Sequence, residues 1–226
     1  MLLVLIIGIT AFLVPVIFPG NQDWVLNYGL IITLMVVLLI LAFFFAFEAS
    51  AMSAKEIALI AMLGAISAVS RVPFAAIPSV QPCTFFIICS GYVFGPLAGF
   101  MVGALTALVS NFFLGQGPWT PYQMLAWGLA GLSAAFLRRF KPGILVLLIF
   151  GLLWGYFYGW IMNTWYWVSF AYPLTLRTWF IYQFSSIWFD TLHAVSNVLF
   201  LSLFGAKTLT LLERFKKRFS WRVSAS

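Results

Sequence analysis

Phe94-Gly95-Pro96-Leu97-Ala98-Gly99-Phe100-Met101-Val102-Gly103 stands between two apolar stretches, and Ser110-Asn111-Phe112-Phe113-Leu114-Gly115-Gln116-Gly117-Pro118-Trp119-Thr120-Pro121-Tyr122-Gln123-Met124 follows closely behind it. Gly95-Pro96 is a turn that starts a helix, because proline is pre-set for the first helical position. The helix that follows carries Gly95, Gly99 and Gly103 at four-residue spacing, a stripe that lets another helix approach closely. It ends in a loop that combines amides, a hydroxyl, Trp119 and Tyr122. An apolar wall with a few convergent polar groups is the usual makeup of a small-molecule pocket, and such a loop can grip a polar ring compound.

Composition sets the class around this stretch. The 226-residue chain is 64% hydrophobic and only 8% charged, with a mean hydropathy of +1.07, so it lacks the polar surface needed to cover a soluble core. Apolar runs of about 20 residues without strand alternation point to membrane-spanning helices rather than a barrel. The fold class expected is therefore an all-α integral membrane protein.

Apolar length and the breakers between runs place the spans. Residues 2–18, closed by Pro19-Gly20-Asn21, and residues 25–47 form an N-terminal pair of membrane helices within a first segment, 1–48. A six-helix core over 49–207 follows, with spans at 54–70, 83–94, 97–114, 122–140, 144–163 and 178–207, and 208–226 is a basic tail. The first run has no basic leader and no clear small-residue cleavage site, so it reads as a span rather than a signal peptide. Pro73, Pro78 and Pro82 mark a connecting loop.

The net charge of +7 reads as topology. With Met1 in the cytoplasm, Lys55, Arg138, Arg139, Lys141, Lys207, Arg214, Lys216, Lys217, Arg218 and Arg222 lie inside, and only Arg71 and Arg177 outside. That distribution satisfies the positive-inside rule with both termini cytoplasmic. In the tail, the cations alternate with Leu211, Leu212, Phe215, Phe219 and Trp221, the pattern of a helix lying on anionic headgroups. A nucleic-acid function would need a basic soluble domain, and there is none. Cys83 and Cys89 are spaced to fall on different helix faces and indicate neither a metal site nor a disulfide.

Candidate site residues gather in three places. Asn111, Gln116, Trp119, Tyr122, Gln123 and Trp127 cluster near the outer ends of two spans. Gln183, Ser186, Asp190, His193 and Asn197 follow at steps of three, four, three and four along the last span, which puts all five on one helix face. Polar and ionisable groups within a span face a cavity or a partner, so Gln183, Ser186 and Asp190 are candidates for ligand contact. Asp190 and His193 equally suit pairing with each other or with neighbouring helices, and Asn197 a structural role. Ala54, Ala58, Ala61, Ala65 and Ala68 make a stripe of small side chains in the first core helix, suited to close contact with a helix of the same bundle or of another protein. Gly151, Gly155 and Gly159 form a further packing stripe among aromatic neighbours. No Gly-x-x-x-x-Gly-Lys-Ser/Thr occurs, so ATP is not bound through a P-loop, and no Gly-x-Ser-x-Gly or His-Glu-x-x-His motif is present.

The Gly-Pro turn, the amide-rich loop and the small-residue first helix resemble the substrate-binding S components of energy-coupling-factor (ECF) vitamin transporters, over residues 54–222. The resemblance implies a bacterial cell-membrane protein that is not itself an enzyme. It would work with a transmembrane coupling subunit and two ATPase subunits, with Ala58, Ala61 and Ala65 docking on the coupling subunit. It also implies capture of a vitamin from outside, closure of the loops at 72–82 and 115–121 over it, and tilting of the whole subunit in the bilayer. The extra N-terminal pair and the aromatic outer surface look most like cobalamin-specific S components, which makes cobalamin the expected transported ligand, with no catalytic cofactor and no metal ligand. No residue separates cobalamin from its precursor cobinamide or from the queuosine base. Two other classes stay open on the residues alone: a membrane enzyme using Asp190 and His193 as acid and base, and a scaffold in which every stripe is packing.

The charge distribution carries its own test. Reporter fusions before Met1 and after Ser226 should both behave as cytoplasmic, and a label directed at Gln116 should react from outside. External labelling of the C-terminal tail would reverse the topology.

Overall fold

The computed structural model describes residues 28–140 and 142–218. The expected span at 2–18, the Pro19-Gly20-Asn21 turn, Lys141 and the end of the tail with Phe219, Trp221 and Arg222 lie outside the described residues. Every regular element among the described residues is helical. In chain order they are α1 (Tyr28–Glu48), α2 (Ala54–Arg71), α3 (Cys83–Phe94), α4 (Pro96–Leu114), α5 (Thr120–Leu137), α6 (Ile144–Phe170), α7 (Leu176–Ser185), α8 (Ile187–Phe200) and α9 (Ala206–Arg218). Among the described residues, five segments are long and apolar enough to cross a membrane: Gly29–Glu48, Ala54–Phe74, Pro96–Leu114, Ile144–Phe170 and Ile187–Arg218. This is an all-α membrane protein.

Local chemistry sets the helix ends. Ser53 and Glu56 form a capping box at the start of α2, with the Ser53 N–H donating to Glu56 Oε2 at 2.6 Å, which satisfies amides that have no partner within the helix. Gly95 has φ of 101°, a conformation costly for any residue with a Cβ. It turns the chain from α3 directly into α4. Gly115, at φ 110°, ends α4 in the same way.

α5 runs through the middle of the bundle, against α3, α4 and α6. Its Ala126, Trp127, Ala130 and Ala134 are fully buried. The contact is one of backbones. A Cβ added at Gly99 would collide with the main chain of Gly131, one at Gly131 with Gly99, one at Gly91 with the Gly131 carbonyl, and one at Gly103 with the Trp127 carbonyl. In lipid, such close packing rather than the hydrophobic effect holds helices together. The Gly151/Gly155/Gly159 stripe of α6 likewise receives α8: a Cβ at Gly155 would strike the Ala194 backbone and one at Gly159 the Asp190 carboxylate. Asn197 Nδ2 donates to the Gly151 carbonyl at 2.9 Å.

Two expected boundaries are corrected. The span expected at 144–163 continues to Phe170. At about 1.5 Å per residue, a 27-residue helix is longer than the hydrocarbon is thick, and its last turns pack Trp167 and Val168 against Leu174 beyond the main core. The span expected as one helix over 178–207 is divided. It breaks at Ser186, with φ −99° and ψ 0°, passes through α8 and widens into a π turn over Leu201–Gly205 before α9. Proline marks neither interruption; the first falls at Ser185-Ser186 and the second ends at Gly205.

At the end away from Gly115, α9 clamps the bundle. Lys216 Nζ donates to the Val93 carbonyl at 2.6 Å, Arg138 Nη1 donates to the same carbonyl, and Arg138 pairs with Glu213 at 2.9 Å. Cations on the last carbonyls of α3 complement that helix's dipole. Leu212 is buried. The basic segment is thus tied to the bundle at Leu212, Glu213 and Lys216, with Arg214, Lys217 and Arg218 exposed.

The glycine contact makes a stability prediction. Gly131→Ala should lower the thermal midpoint of the detergent-purified protein by the equivalent of at least about 1 to 3 kcal/mol, the cost of overpacking. Gly143→Ala, with no atom within 4 Å of an added Cβ, should stay within about 0.5 kcal/mol of the parent. Matching midpoints for the two variants would show that the α4–α5 contact is looser than described.

Candidate functional site

The end of the bundle that carries Gly115 is organised around Arg71, the last residue of α2. It lies on the face of α2 that also buries Ile60, Leu63 and Ser67, at steps of three, four and four, and is itself 6% exposed. Its Nε donates to Gln81 Oε1 at 2.8 Å, and its Nη1 donates to Asn111 Oδ1 at 3.2 Å and to Ser110 Oγ. The guanidinium lies 4.5 Å from the centre of the Trp127 ring, within cation–π range.

A chain of polar contacts leads away from this cation through five helices, α3, α4, α5, α6 and α8. Asn111 Nδ2 donates to Thr120 Oγ1 at 3.0 Å and to Gln123 Oε1 at 2.6 Å, and Gln123 Nε2 donates to Tyr158 Oη at 3.0 Å. Tyr158 stacks on Trp127 with 4.7 Å between centroids and meets His193 edge-on at 4.8 Å. Trp127 Nε1 donates to Thr84 Oγ1 at 3.1 Å, and Thr84 Oγ1 is 2.9 Å from His193 Nε2. These hydrogen bonds and ring contacts hold the members of the network in fixed orientations.

Both loops over this end are tied to it. Gln81, near the end of the proline-rich loop, receives Arg71 and donates its own N–H to Ser196 Oγ at 3.0 Å. In the loop before α5, Thr120 Oγ1 donates to Gln116 Oε1 at 2.9 Å, and Gln116 Nε2 donates to the Leu108 carbonyl at 2.9 Å.

Asn111, Gln123 and Trp127, of the expected site residues, belong to the Arg71 network, with Gln116 at its exposed rim. Trp119 packs edge-on against Trp165 at 5.7 Å. Tyr122 turns the other way: its hydroxyl is 3.0 Å from Thr33 Oγ1 on α1. Its ring lines an apolar cleft of about 440 Å³ with Ile32, Val36, Trp154, Phe157, Trp160, Thr164 and Trp179. Gln183, Ser186 and Asp190 form a separate group with Asn163, whose Nδ2 donates to Ser186 Oγ at 2.6 Å and Gln183 Oε1 at 3.2 Å. Ser186 Oγ donates to Asp190 Oδ2 at 2.9 Å. Asp190 and His193, for which mutual pairing was one expectation, hydrogen-bond to different partners.

Arg71, Gln81, Thr84, Tyr158 and Asn163 were not among the expected site residues. The charge distribution marks Arg71 only as an external cation, although its register with Ile60, Leu63 and Ser67 places it on an inward face. The Ala stripe divides: Ala54, Ala58, Ala61 and Ala65 are exposed beside Ile57, Met62 and Ile66, while Ala68 is buried.

The model of one protein family, described as ECF transporter, substrate-specific component, matches residues 55–204. The chain belongs to this family. Comparison with curated proteins and with solved structures gives no match. As an S component it is a transporter subunit and not an enzyme, and ATP is hydrolysed by separate ATPase subunits. The family implies association with an ECF module of a coupling subunit and ATPases. The matched region of this S component contains the whole Arg71 network and the exposed Ala58, Ala61 and Ala65.

The network predicts unequal costs. Gln123→Ala removes the acceptor of Asn111 Nδ2 and the donor to Tyr158 Oη, and should lower the thermal midpoint by the equivalent of about 1 to 3 kcal/mol. Gln116→Ala, at the exposed rim, should cost less than about 1 kcal/mol. If Gln116→Ala is the more damaging, the buried network does not hold this end together.

Proposed function

We propose that this S component captures a ring-containing vitamin, cobalamin first among the candidates, at the Arg71 end of the bundle. We further infer that this end faces outward and that the termini are cytoplasmic. The observation that carries the reading is the convergence of Arg71, Asn111, Gln123, Trp127 and Tyr158 from four helices beneath two loops that are fastened to those same side chains. Aromatic faces and oriented amides suit a ring bearing polar substituents. A ligand competing for Arg71 and Thr120 acts directly on the two loop ties. That gives it the differential interaction a conformational step requires. Gln116 and Trp119 serve at the mouth, Tyr122 through the adjoining apolar cleft, and Gln183, Ser186 and Asp190 as a separate polar group beside α6.

On the same reading, a transmembrane coupling subunit receives the exposed face Ala58, Ala61 and Ala65, and two ATPase subunits drive the tilting that delivers the vitamin inside. The outward direction of these three alanines supports this, because small side chains on a free face admit another helix.

Two measurements test the proposal. Full-length protein purified from rich medium should carry a bound corrinoid, visible as a red absorption spectrum, and should bind cobalamin in calorimetry. A yellow flavin spectrum without cobalamin binding would reassign the substrate. Ala61→Trp and Ala65→Trp should leave retention of the vitamin unchanged but abolish uptake and co-purification with the ECF module. Loss of vitamin binding in the isolated variants would place the stripe within the bundle.

A further inference from the structure

We propose that the captured compound bears an oxyanion, a carboxylate or phosphate-type group, and that Arg71 binds it; this rests on the Arg71 end being the capture site. A guanidinium is always charged. In this structure it is 94% removed from solvent in a chain that spans a membrane, where an unbalanced charge is expensive. Yet each partner it has is neutral: the carbonyls of Gln81 and Asn111, the Ser110 hydroxyl and the face of Trp127.

The carboxylates of the described residues are engaged elsewhere. Glu56 caps α2 through Ser53, Glu213 pairs with Arg138 at the opposite end, and Asp190 accepts from Ser186. Glu48 closes α1 at the end from which α2 begins, a helix length away from Arg71. Among the described residues, the ion pair is that of Arg138 with Glu213.

The donors themselves are also incompletely used. A guanidinium presents five N–H groups in a fixed fork. Nε and Nη1 are committed to Gln81, Ser110 and Asn111, whereas the two N–H groups of Nη2 have no partner among the described residues. Trp127 lies against the guanidinium and helps fix its plane. An oxyanion arriving in that plane would supply both the missing charge and the missing acceptors, the bidentate geometry for which arginine is suited. Asn111 stands next to the same Nη1, held by Thr120 and Gln123, so the amide chain beyond it would sense the occupant.

The test compares two aryl probes of nearly equal shape, 2-naphthoate and 2-naphthamide, on the full-length protein in phosphatidylcholine nanodiscs, followed by thermal shift. The parent should respond to naphthoate at about tenfold lower concentration than to naphthamide. Arg71→Gln should remove that preference, and Arg71→Lys should retain part of it. Equal responses of the parent to the two probes overturn the proposal whether or not either variant folds. Asp23, outside the described residues, is checked by Asp23→Asn: a naphthoate preference several-fold above the parent's would mean that the chain supplies its own counter-charge, and an unchanged one supports an external anion. Mass spectrometry of compounds released from the purified parent separates this inference from the capture function. A neutral vitamin retained in one-to-one amount would leave capture standing and sink the oxyanion. A retained phospholipid that is lost in Arg71→Gln would also overturn it, in favour of a headgroup. A retained organic acid or phosphodiester that is lost in Arg71→Gln supports it.

Discussion

The contact between the backbones of Gly99 and Gly131 governs this bundle. With no Cβ on either helix, α4 and α5 approach until main chain meets main chain, and α3 joins them through Gly91. That proximity lets short side chains span the gap at the loop end. Asn111 on α4 reaches Thr120 and Gln123 on α5 within 3.0 Å, which helices spaced by larger residues would not permit. The glycines of α6 do the same for α8, admitting Asp190 and Asn197 to the interior. Polar chemistry inside this membrane protein is therefore a consequence of where side chains are missing.

The two ends of the bundle treat charge differently. At the basic end, Arg138 and Lys216 are partly exposed, both donate to the last carbonyls of α3, and Arg138 pairs with Glu213, while the remaining cations of α9 are exposed. At the loop end a cation is buried among neutral acceptors and aromatic rings. The first arrangement holds a terminal helix in place. The second is the arrangement on which the proposed capture site rests. Its loops are each fastened by a pair of hydrogen bonds, each worth about 1 to 3 kcal/mol net, which a ligand can replace.

The apolar cleft beside Tyr122 shows how far neighbouring residues diverge in role. Tyr122 and Gln123 are adjacent in sequence, yet one faces α1 and the cleft while the other faces Asn111 and Tyr158. Successive helical residues differ by about 100° in direction, so a cluster that is compact in sequence is split between two faces.

Sequence alone determined that the chain is helical and membrane-embedded, where α3 and α4 meet, and that the glycine stripes pack helices. Each of these follows from hydropathy, from turn chemistry or from the absence of a side chain, properties that act locally. The family was also legible, in the Gly-Pro turn and the amide-rich loop. Tertiary structure decided the rest. It turned Ala58, Ala61 and Ala65 outward but Ala68 inward, broke the last span at Ser186, and made an apparently external Arg71 the centre of the polar network. The physical reason is that lipid and bundle interior are equally apolar, so hydropathy cannot tell which face of a helix looks inward. Only the set of neighbours that each face meets distinguishes a buried cation from one at the surface.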